Sequence, residues 1–464
     1  MEVCNPLLLT DSYKLTHWKQ YPPGTEYVYS YLESRGGKFD NTVFFGLQPF
    51  LFRWLEGPFF TWGDLNAARV FCKEHFGNDT VFNYEGWNKL LFKHQGRLPV
   101  SIKAVPEGTV VPTHNVLMTI ENTDPEFPWL TNFLETLLVQ VWYPTTVATL
   151  SREMKKLILS YLEKTGSPQL INFKLHDFGF RGVSSVESAG LGGAAHLVNF
   201  MGTDTLAGIE YARRYYHAEM AGFSIPASEH STITSWGRDH EVDAYANMLS
   251  AYPEGLVACV SDSYDIFRAC SDLWGASLKD KVLGRKGTLV VRPDSGDPPV
   301  VCGQVLDALG KSFGFSVNEK GYKVLPDQVR VIQGDGIDYA STRQILEVLA
   351  LKGWSADNIA FGMGGALLQK LDRDTQKFAF KCSNVTINGE DHPVSKDPIT
   401  DPGKKSKPGK LALVRTSMGK NLRDPNGLVT LPAPDMDDIL VEVFRDGKVL
   451  VDQRFDDIRK RAEV

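Results

Sequence analysis

In the stretch Thr288–Pro299, TLVVRPDSGDPP, a guanidinium (Arg292) and a carboxylate (Asp294) flank one proline, directly after a run of strand-forming residues. A fixed cation and an anion at one strand end suit a ligand that carries both signs of charge, or one that develops charge as it reacts. Comparable endings recur through the middle of the chain. They supply His176, Asp177 and Arg181, then Asp204, then Glu229 and His230, then Asp262, then Gly334, Asp335 and Gly336, and last Gly364 and Gly365. Each has an ordinary explanation alone. An aspartate after a strand commonly caps the next helix, a single histidine is more often structural than catalytic, and Gly-Asp-Gly is a turn signal. Their recurrence at the ends of successive strands is what points to one shared site.

The mixture of charges suggests a ligand class. Arg181, Arg292 and Arg373 offer forked donors to phosphate oxygens. In FGMGGALLQK, glycines between a strand and an apolar helical stretch let bare backbone N–H groups approach an anion. Carboxylates do not bind phosphate directly; they suit sugar hydroxyls, a Mg²⁺ ion or a developing positive charge. A phosphorylated sugar with a cationic transition state fits both sets.

The elements that must position these residues follow from hydrophobic periodicity. Seven short apolar or β-branched runs end in polar residues: 170–179, 196–204, 223–230, 256–263, 288–296, 329–336 and 359–365. Helical periodicity separates several of them, as in 205–217, 264–274 and 342–353. This alternation predicts a parallel sheet, and seven units predict a closed α/β barrel with its site at the strand C-termini; an open doubly wound sheet is the alternative. The flanks differ. Residues 25–34, 100–105 and 116–122 look like antiparallel strands, VTINGEDHPV and VEVFRDGKVLVD carry hairpin turns, and a helical stretch from about Pro128 to Lys164 is interrupted at Pro144. The expected layout is an α/β barrel-like domain over 166–375 and a mixed or antiparallel α+β domain built from both chain ends, 1–165 and 376–464.

The 464-residue chain is 42% hydrophobic and 23% charged with a net charge of −6, an ordinary soluble-enzyme composition that argues against a nucleic-acid coat protein. The N-terminal stretch lacks a signal-peptide pattern, and no run of apolar residues is long enough to span a membrane. Six scattered cysteines without zinc spacing fit reduced thiols of a cytoplasmic protein.

Taken in order, TDSYKLTHWKQYPPGT, KLHDFGFRGVSS, VNFMGTDTLAG, IPASEHSTITSWG, VSDSYD, RPDSGDP, VIQGDG, GGALLQKLDRD and KDPITDPGKKSK closely resemble the nicotinamide phosphoribosyltransferases, a type II phosphoribosyltransferase family, and their bacterial branch in particular. The resemblance implies condensation of nicotinamide with 5-phosphoribosyl-1-pyrophosphate (PRPP) to nicotinamide mononucleotide and pyrophosphate, in NAD salvage. It also implies Mg²⁺, ATP as phosphoryl donor to a histidine, and a homodimer with active sites at the interface.

Carried over by motif, Phe178 and a partner's Tyr13 would sandwich the pyridine ring, with Ser224 and Ile225 lining its pocket. Asp204 would accept from the carboxamide and repel the carboxylate of nicotinic acid. Arg181 and Arg292 would lie near base and pyrophosphate. His230 would take the phosphoryl group, oriented by Glu229 or Asp262. Asp294, Asp335 and Gly334 would hold the ribose, and Gly364, Gly365 and Arg373 the 5′-phosphate, with Arg35, Lys381, Lys396 and Lys404 crowding the phosphates. Metal ligands are not assigned. The chain departs from the vertebrate pattern at Ala258, Met363, Ala366 and Ala379. Nicotinate phosphoribosyltransferase and a non-catalytic binding protein on the same scaffold are the rival readings; Asp204 argues against the first and the retained charged residues against the second.

Overall fold

A computed structural model of the chain describes residues 4–400, 405–416, 427–432 and 437–464. The chain divides into two compact units: Met1–Thr149, Tyr215–His217 and Asp372–Ala462 in one, and Leu150–Arg214, Ala218–Leu371 and Glu463–Val464 in the other.

The second unit carries the parallel sheet. Its strands are β1 (Leu175–Asp177), β2 (Gly202–Thr203), β3 (Glu254–Val260), β4 (Lys286–Arg292), β5 (Val329–Gln333) and β6 (Ile359–Met363), in spatial order β2-β1-β6-β5-β4-β3. All neighbours pair in parallel. In β4, Leu289, Val290 and Val291 are buried in succession, the continuous apolar run of a strand covered on both faces. The edge strands β2 and β3 are both bridged by the extended segment 223–228, through Phe223–Gly202 and Ala227–Ala258. Four backbone hydrogen bonds make this seam: Phe223 N–H to Met201 O (2.7 Å), Thr203 N–H to Phe223 O (3.0 Å), Ala258 N–H to Pro226 O (2.9 Å) and Ser228 N–H to Ala258 O (3.0 Å). The seven runs therefore follow one another around a barrel-like ring in chain order, with every C-terminal strand end on one rim.

Two of the runs are shorter as strands than their composition predicts. Residues 168–173 form a 3₁₀ turn before β1, and His196 and Leu197 end the helix Val186–Leu197. That helix is buried on nearly every side from Ala189 onward, so its apolar residues carry no period to distinguish helix from strand. The turn leading into β1 is pinned by Lys174, fully buried, whose Nζ donates to the carbonyls of Ala356, Asp357 and Ile359 at 2.9–3.0 Å.

The other unit holds a seven-stranded antiparallel sheet, in spatial order 390–393, 378–387, 25–34, 116–122, 100–104, 441–445 and 448–449, so both chain ends contribute. Both hairpin turns are present, with left-handed φ at Asn388 and Gly389 and at Asp446 and Gly447. Strand Thr25–Ser34 is buried on both faces from Val28 onward rather than alternating, because it is central and helix Leu130–Val139 covers it; Thr131 Oγ1 donates to Val28 O at 3.0 Å. The helical stretch breaks at Gln140–Val141, ahead of Pro144. Pro144 instead lies in the first turn of Trp142–Thr165, where a missing N–H costs no helical hydrogen bond.

Candidate active site

Side chains from three strands make an apolar floor inside the ring: Ala258, Val290 and Ile332, with Phe178, Ile225 and Ala360 packed against it. The Phe178 ring lies where a Cβ on Gly362 would sit, 2.0 Å from Cε2, and 3.4 Å from the Cβ position of Gly334. Its backbone is fixed on both sides. Phe178 N–H donates to Met363 O at 3.0 Å, and Asp177 Oδ1 accepts from Gly179 N–H at 2.7 Å. A cleft of about 890 Å³ opens beside this ring, lined by Phe178, Arg181, Asp204, Glu229 and Arg292 among others. Phe180, Val183, Ser184, Ser185 and Val186 also line it. Their motif, FRGVSSV, contains Arg181, and Phe180 and Val186 are exposed large apolar side chains within it.

The carboxylates of the rim are distinguished by what they hold. Asp265 caps the helix after β3 by accepting from Phe267 N–H and Arg268 N–H, and Asp338 caps Tyr339–Leu351 by accepting from Ser341 N–H. Each cap lies three residues beyond a site aspartate, Asp262 or Asp335. Helix capping, the ordinary duty of a strand-end aspartate, is thus met by other residues. Asp204 accepts a short hydrogen bond from Ser224 Oγ. Its backbone N–H donates to Asp177 O at 2.9 Å, which ties it to the turn that carries Phe178.

Asp262 is the carboxylate that meets the histidine. Its Oδ1 lies 2.9 Å from His230 Nε2 and its Oδ2 accepts from Ser295 Oγ at 2.5 Å; the Asp262 side chain is 4% exposed and His230 is 47% exposed. Of the two carboxylates expected to orient the imidazole, Glu229 takes another part. It is the N-cap residue of the one-turn helix His230–Thr234 and accepts from Ser231 Oγ, the adjacent hydroxyl on its own turn.

Arg292 Nη2 lies 3.6 Å from Asp294 Oδ2. Burial raises the Asp294 carboxyl above its ordinary pKa; Arg292 and His230 oppose the rise, and Asp262 and Asp335 add to it. His230, Asp262, Arg292, Asp294 and Asp335 therefore share one electrostatic site. Asp335 is exposed on the same rim. Gly365 opens a single helical turn, Gly365–Leu368, and a Cβ on Gly182 would stand 3.2 Å from its Cα. Anion binding there would rest on individual N–H groups, since so short a helix sums few peptide dipoles. His176 and Asp177 are structural. His176 Nε2 is 3.0 Å from Phe173 O, and Asp177 is fully buried with its carboxyl raised to about 6 by desolvation.

The remaining candidates belong to the other unit. Arg35, Arg373, Lys381 and Lys396 form a cationic group there. Burial lowers the Lys381 pKa, Glu135 opposes the fall, and repulsion from Arg35, Lys396 and Arg373 adds to it. Arg35 Nε is held by buried Glu33 at 2.8 Å, and its Nη2 is buried without a hydrogen-bond partner among the described residues. Tyr13 is 57% exposed and makes an edge contact with His17 at 4.9 Å between ring centroids. Lys404 lies outside the described residues.

Residues 173–446, more than half of the chain, match the model of the nicotinate phosphoribosyltransferase (NAPRTase) family. The chain belongs to that family. Within the family, residues 5–102 match the nicotinamide phosphoribosyltransferase N-terminal domain. Among curated members, the chain is 53% identical to a nicotinamide phosphoribosyltransferase of Xanthomonas campestris pv. campestris (strain 8004), covering 99% of this chain and 98% of that protein. It is 34% identical to the same-named protein of Acinetobacter baylyi, covering 98% and 97%. The fold is that of a Pyrococcus furiosus nicotinate-nucleotide pyrophosphorylase (TM-score 0.61, 15% identity, 100% and 96% coverage) and of human nicotinic acid phosphoribosyltransferase (0.53, 16%, 98% and 93%).

Proposed function

We propose that this enzyme is a nicotinamide phosphoribosyltransferase that joins nicotinamide to PRPP, releasing pyrophosphate. The observation that carries this reading is the Asp204 carboxylate on the wall of the cleft beside Phe178. An anion there accepts from a carboxamide N–H₂ and repels a carboxylate, so it favours the amide over nicotinic acid. The names of the relatives at 53% and 34% identity support the same substrate.

In this reading the pyridine ring stacks on Phe178, and Tyr13 of a second copy covers its other face; the exposure of Tyr13 supports a homodimer. Asp294 and Asp335 hold the ribose hydroxyls and stabilise the positive charge that grows at C1. Arg181 and Arg292 take the pyrophosphate, and Gly364 and Gly365 present N–H groups to the 5′-phosphate, with Arg35, Arg373, Lys381 and Lys396 adding positive charge. The pyridine nitrogen lone pair forms the new bond to C1 as the C1–oxygen bond breaks and its electron pair leaves with pyrophosphate. That nitrogen carries no proton, so no general base is needed.

Mg²⁺ fits this site in a limited way. Among the described residues no three or more His, Cys, Asp or Glu side chains form a metal cage; pyrophosphate oxygens would supply hard oxygen ligands of the kind Mg²⁺ takes, and Asp294 and Asp335 are the carboxylates of the site that could join them. When bound, it would neutralise the leaving group.

ATP acts through His230. Asp262 accepts from Nε2–H, which leaves the Nδ1 lone pair for the γ-phosphorus. The N–P bond forms as the bond to the β,γ-bridging oxygen breaks and ADP departs with its electrons. Asp262 stabilises the positive charge that this attack builds on the ring, and hydrolysis later returns the imidazole and phosphate. The cysteines, all free among the described residues, support a reducing, cytoplasmic setting.

The test is a PRPP-dependent mononucleotide assay with nicotinamide and with nicotinic acid, with Mg²⁺, with and without ATP, on wild type and His230→Ala. Nicotinamide preference with ATP stimulation lost in the variant is the expected result. Preference for nicotinic acid overturns the Asp204 reading, and unchanged ATP stimulation in the variant overturns the phosphohistidine.

A further inference from the structure

From the contact between Ser295 Oγ and Asp262 Oδ2, we infer that Ser295 is a positioning residue that couples the state of His230 to the loop that grips PRPP. The inference rests on the phosphohistidine reading above and adds to it a residue that the family motifs did not single out.

Three observations carry it. First, Asp262 is almost wholly buried, and its two oxygens are divided between two partners: His230 on Oδ1 at 2.9 Å and Ser295 on Oδ2 at 2.5 Å. A carboxylate held at both oxygens has its plane fixed, and so fixes the imidazole it orients. Second, Ser295 immediately follows Asp294, in the loop between β4 and the helix Pro298–Phe313. Arg292, the last residue of β4, precedes the loop and is paired with Asp294 at 3.6 Å. Residues assigned to ribose and pyrophosphate and the residue that holds Asp262 thus lie within four consecutive positions. Third, Ser261, between the end of β3 and Asp262, is held by backbone and side chain. Ser261 N–H donates to Arg292 O at 3.0 Å, and Ser261 Oγ accepts from Trp274 Nε1 at 3.1 Å, Trp274 being stacked on Tyr245 at 4.4 Å. Beside this backbone tie between the two strand ends, the side-chain chain His230–Asp262–Ser295 links the histidine to the PRPP loop.

The coupling follows from charge. A phosphoryl group on Nδ1 leaves Nε2–H bonded to Asp262 and alters the charge that the carboxylate faces. Asp262 transmits that change through Ser295 to the backbone that carries Asp294. Without the hydroxyl the histidine can still be phosphorylated and hydrolysed, but its state no longer sets the loop.

The experiment measures ATP hydrolysed per nicotinamide mononucleotide formed, with the KM for PRPP measured with and without ATP, for wild type, Ser295→Ala and Ser295→Thr. The inference expects ATP to lower the KM for PRPP in the wild type; in Ser295→Ala the ratio should rise roughly tenfold, the scale of losing one hydrogen bond to a charged group, and the KM for PRPP should be the same with and without ATP. Ser295→Thr, which keeps the hydroxyl, should restore both. A simple loss of folded protein lowers both rates together and leaves their ratio unchanged. If the wild type couples ATP to product and Ser295→Ala keeps the same ratio and KM response, the inference falls while the phosphohistidine stands. If the wild type itself forms no phosphoenzyme on His230, detected as acid-labile phosphate, both fall.

Discussion

Gly362 and Phe178 compete for one volume: a Cβ on the glycine would lie 2.0 Å from Cε2 of the ring and 2.1 Å from Cδ2. Strand β6 thus leaves out a side chain so that the aromatic ring from the neighbouring β1 turn can lie over the barrel floor.

Gly362→Ala should therefore displace Phe178, at a stability cost of about 1–3 kcal/mol for overpacking. The KM for nicotinamide is expected to rise about tenfold, with a smaller effect on the KM for PRPP. Steady-state kinetics with each substrate varied in turn checks this, and an unchanged nicotinamide KM would show that the ring does not hold the base.

Asp204 is tested by removing its charge while keeping its shape. Asp204→Asn should lower the nicotinamide-to-nicotinic-acid ratio of kcat/KM by about 10- to 100-fold, the range expected when a site built for one polar partner no longer rejects the other. Ser224→Ala should move the ratio in the same direction by less, because it only frees the carboxylate that Ser224 holds. A ratio that stays constant in Asp204→Asn sets selectivity elsewhere.

Asp177 gives a pH dependence. Burial raises its carboxyl to about 6, opposed by Gly179 N–H and the Thr205 hydroxyl and reinforced by Asp204. The unfolded chain ionises this group near 4. Between those values the folded state keeps a proton that the unfolded state has lost, so this group's contribution to stability declines as pH rises from about 4 to about 6. The full decline is on the order of 3 kcal/mol. Asp177→Asn cannot ionise and retains an acceptor for Gly179 N–H. Its stability relative to wild type should increase across that window and level off above about pH 7. Urea unfolding at acid and neutral pH measures the difference; equal differences at both values would leave Asp177 without a titration.

Lys381 lies among like charges, and substitution should separate binding from stability. Lys381→Met is expected to raise the KM for PRPP about tenfold, with a greater effect at low ionic strength, while the melting temperature holds or rises because repulsion from Arg35, Lys396 and Arg373 is relieved. A lower melting temperature with an unchanged KM would make the lysine structural.

Much of the barrel was legible because its signals are local. TLVVRPDSG ends a strand in residues that cannot continue it, and β4 runs to Arg292 accordingly. HLVNFMGTD misled because a helix buried on nearly every side has no polar face to mark its period. The partner of His230 was legible only as one of two candidates, Glu229 or Asp262. Glu229 is next in sequence and Asp262 is thirty-two positions away, yet ring closure brings the distant residue to the imidazole. The roles of Ser295 and of Gly362, which by sequence groups with the phosphate-side glycines but lies within β6, were not legible for a related reason. A serine beside an aspartate and a glycine in an apolar run have no distinctive spacing, and their importance arises only from what stands opposite them in space.

The ring has one stretch with no ladder. Six strands are held in register by repeated backbone pairing, so a slip of one residue would turn every side chain to the opposite face. The segment 223–228 is tied at only two bridges, and between them Ser224 and Ile225 are free of that constraint. Its end leads straight into Glu229 and His230. Residues can change there, or the chain can bend there, without disturbing the alignment of any neighbouring strand. Ser224, which holds Asp204, and the approach to His230 thus lie on the part of the ring least bound by strand register.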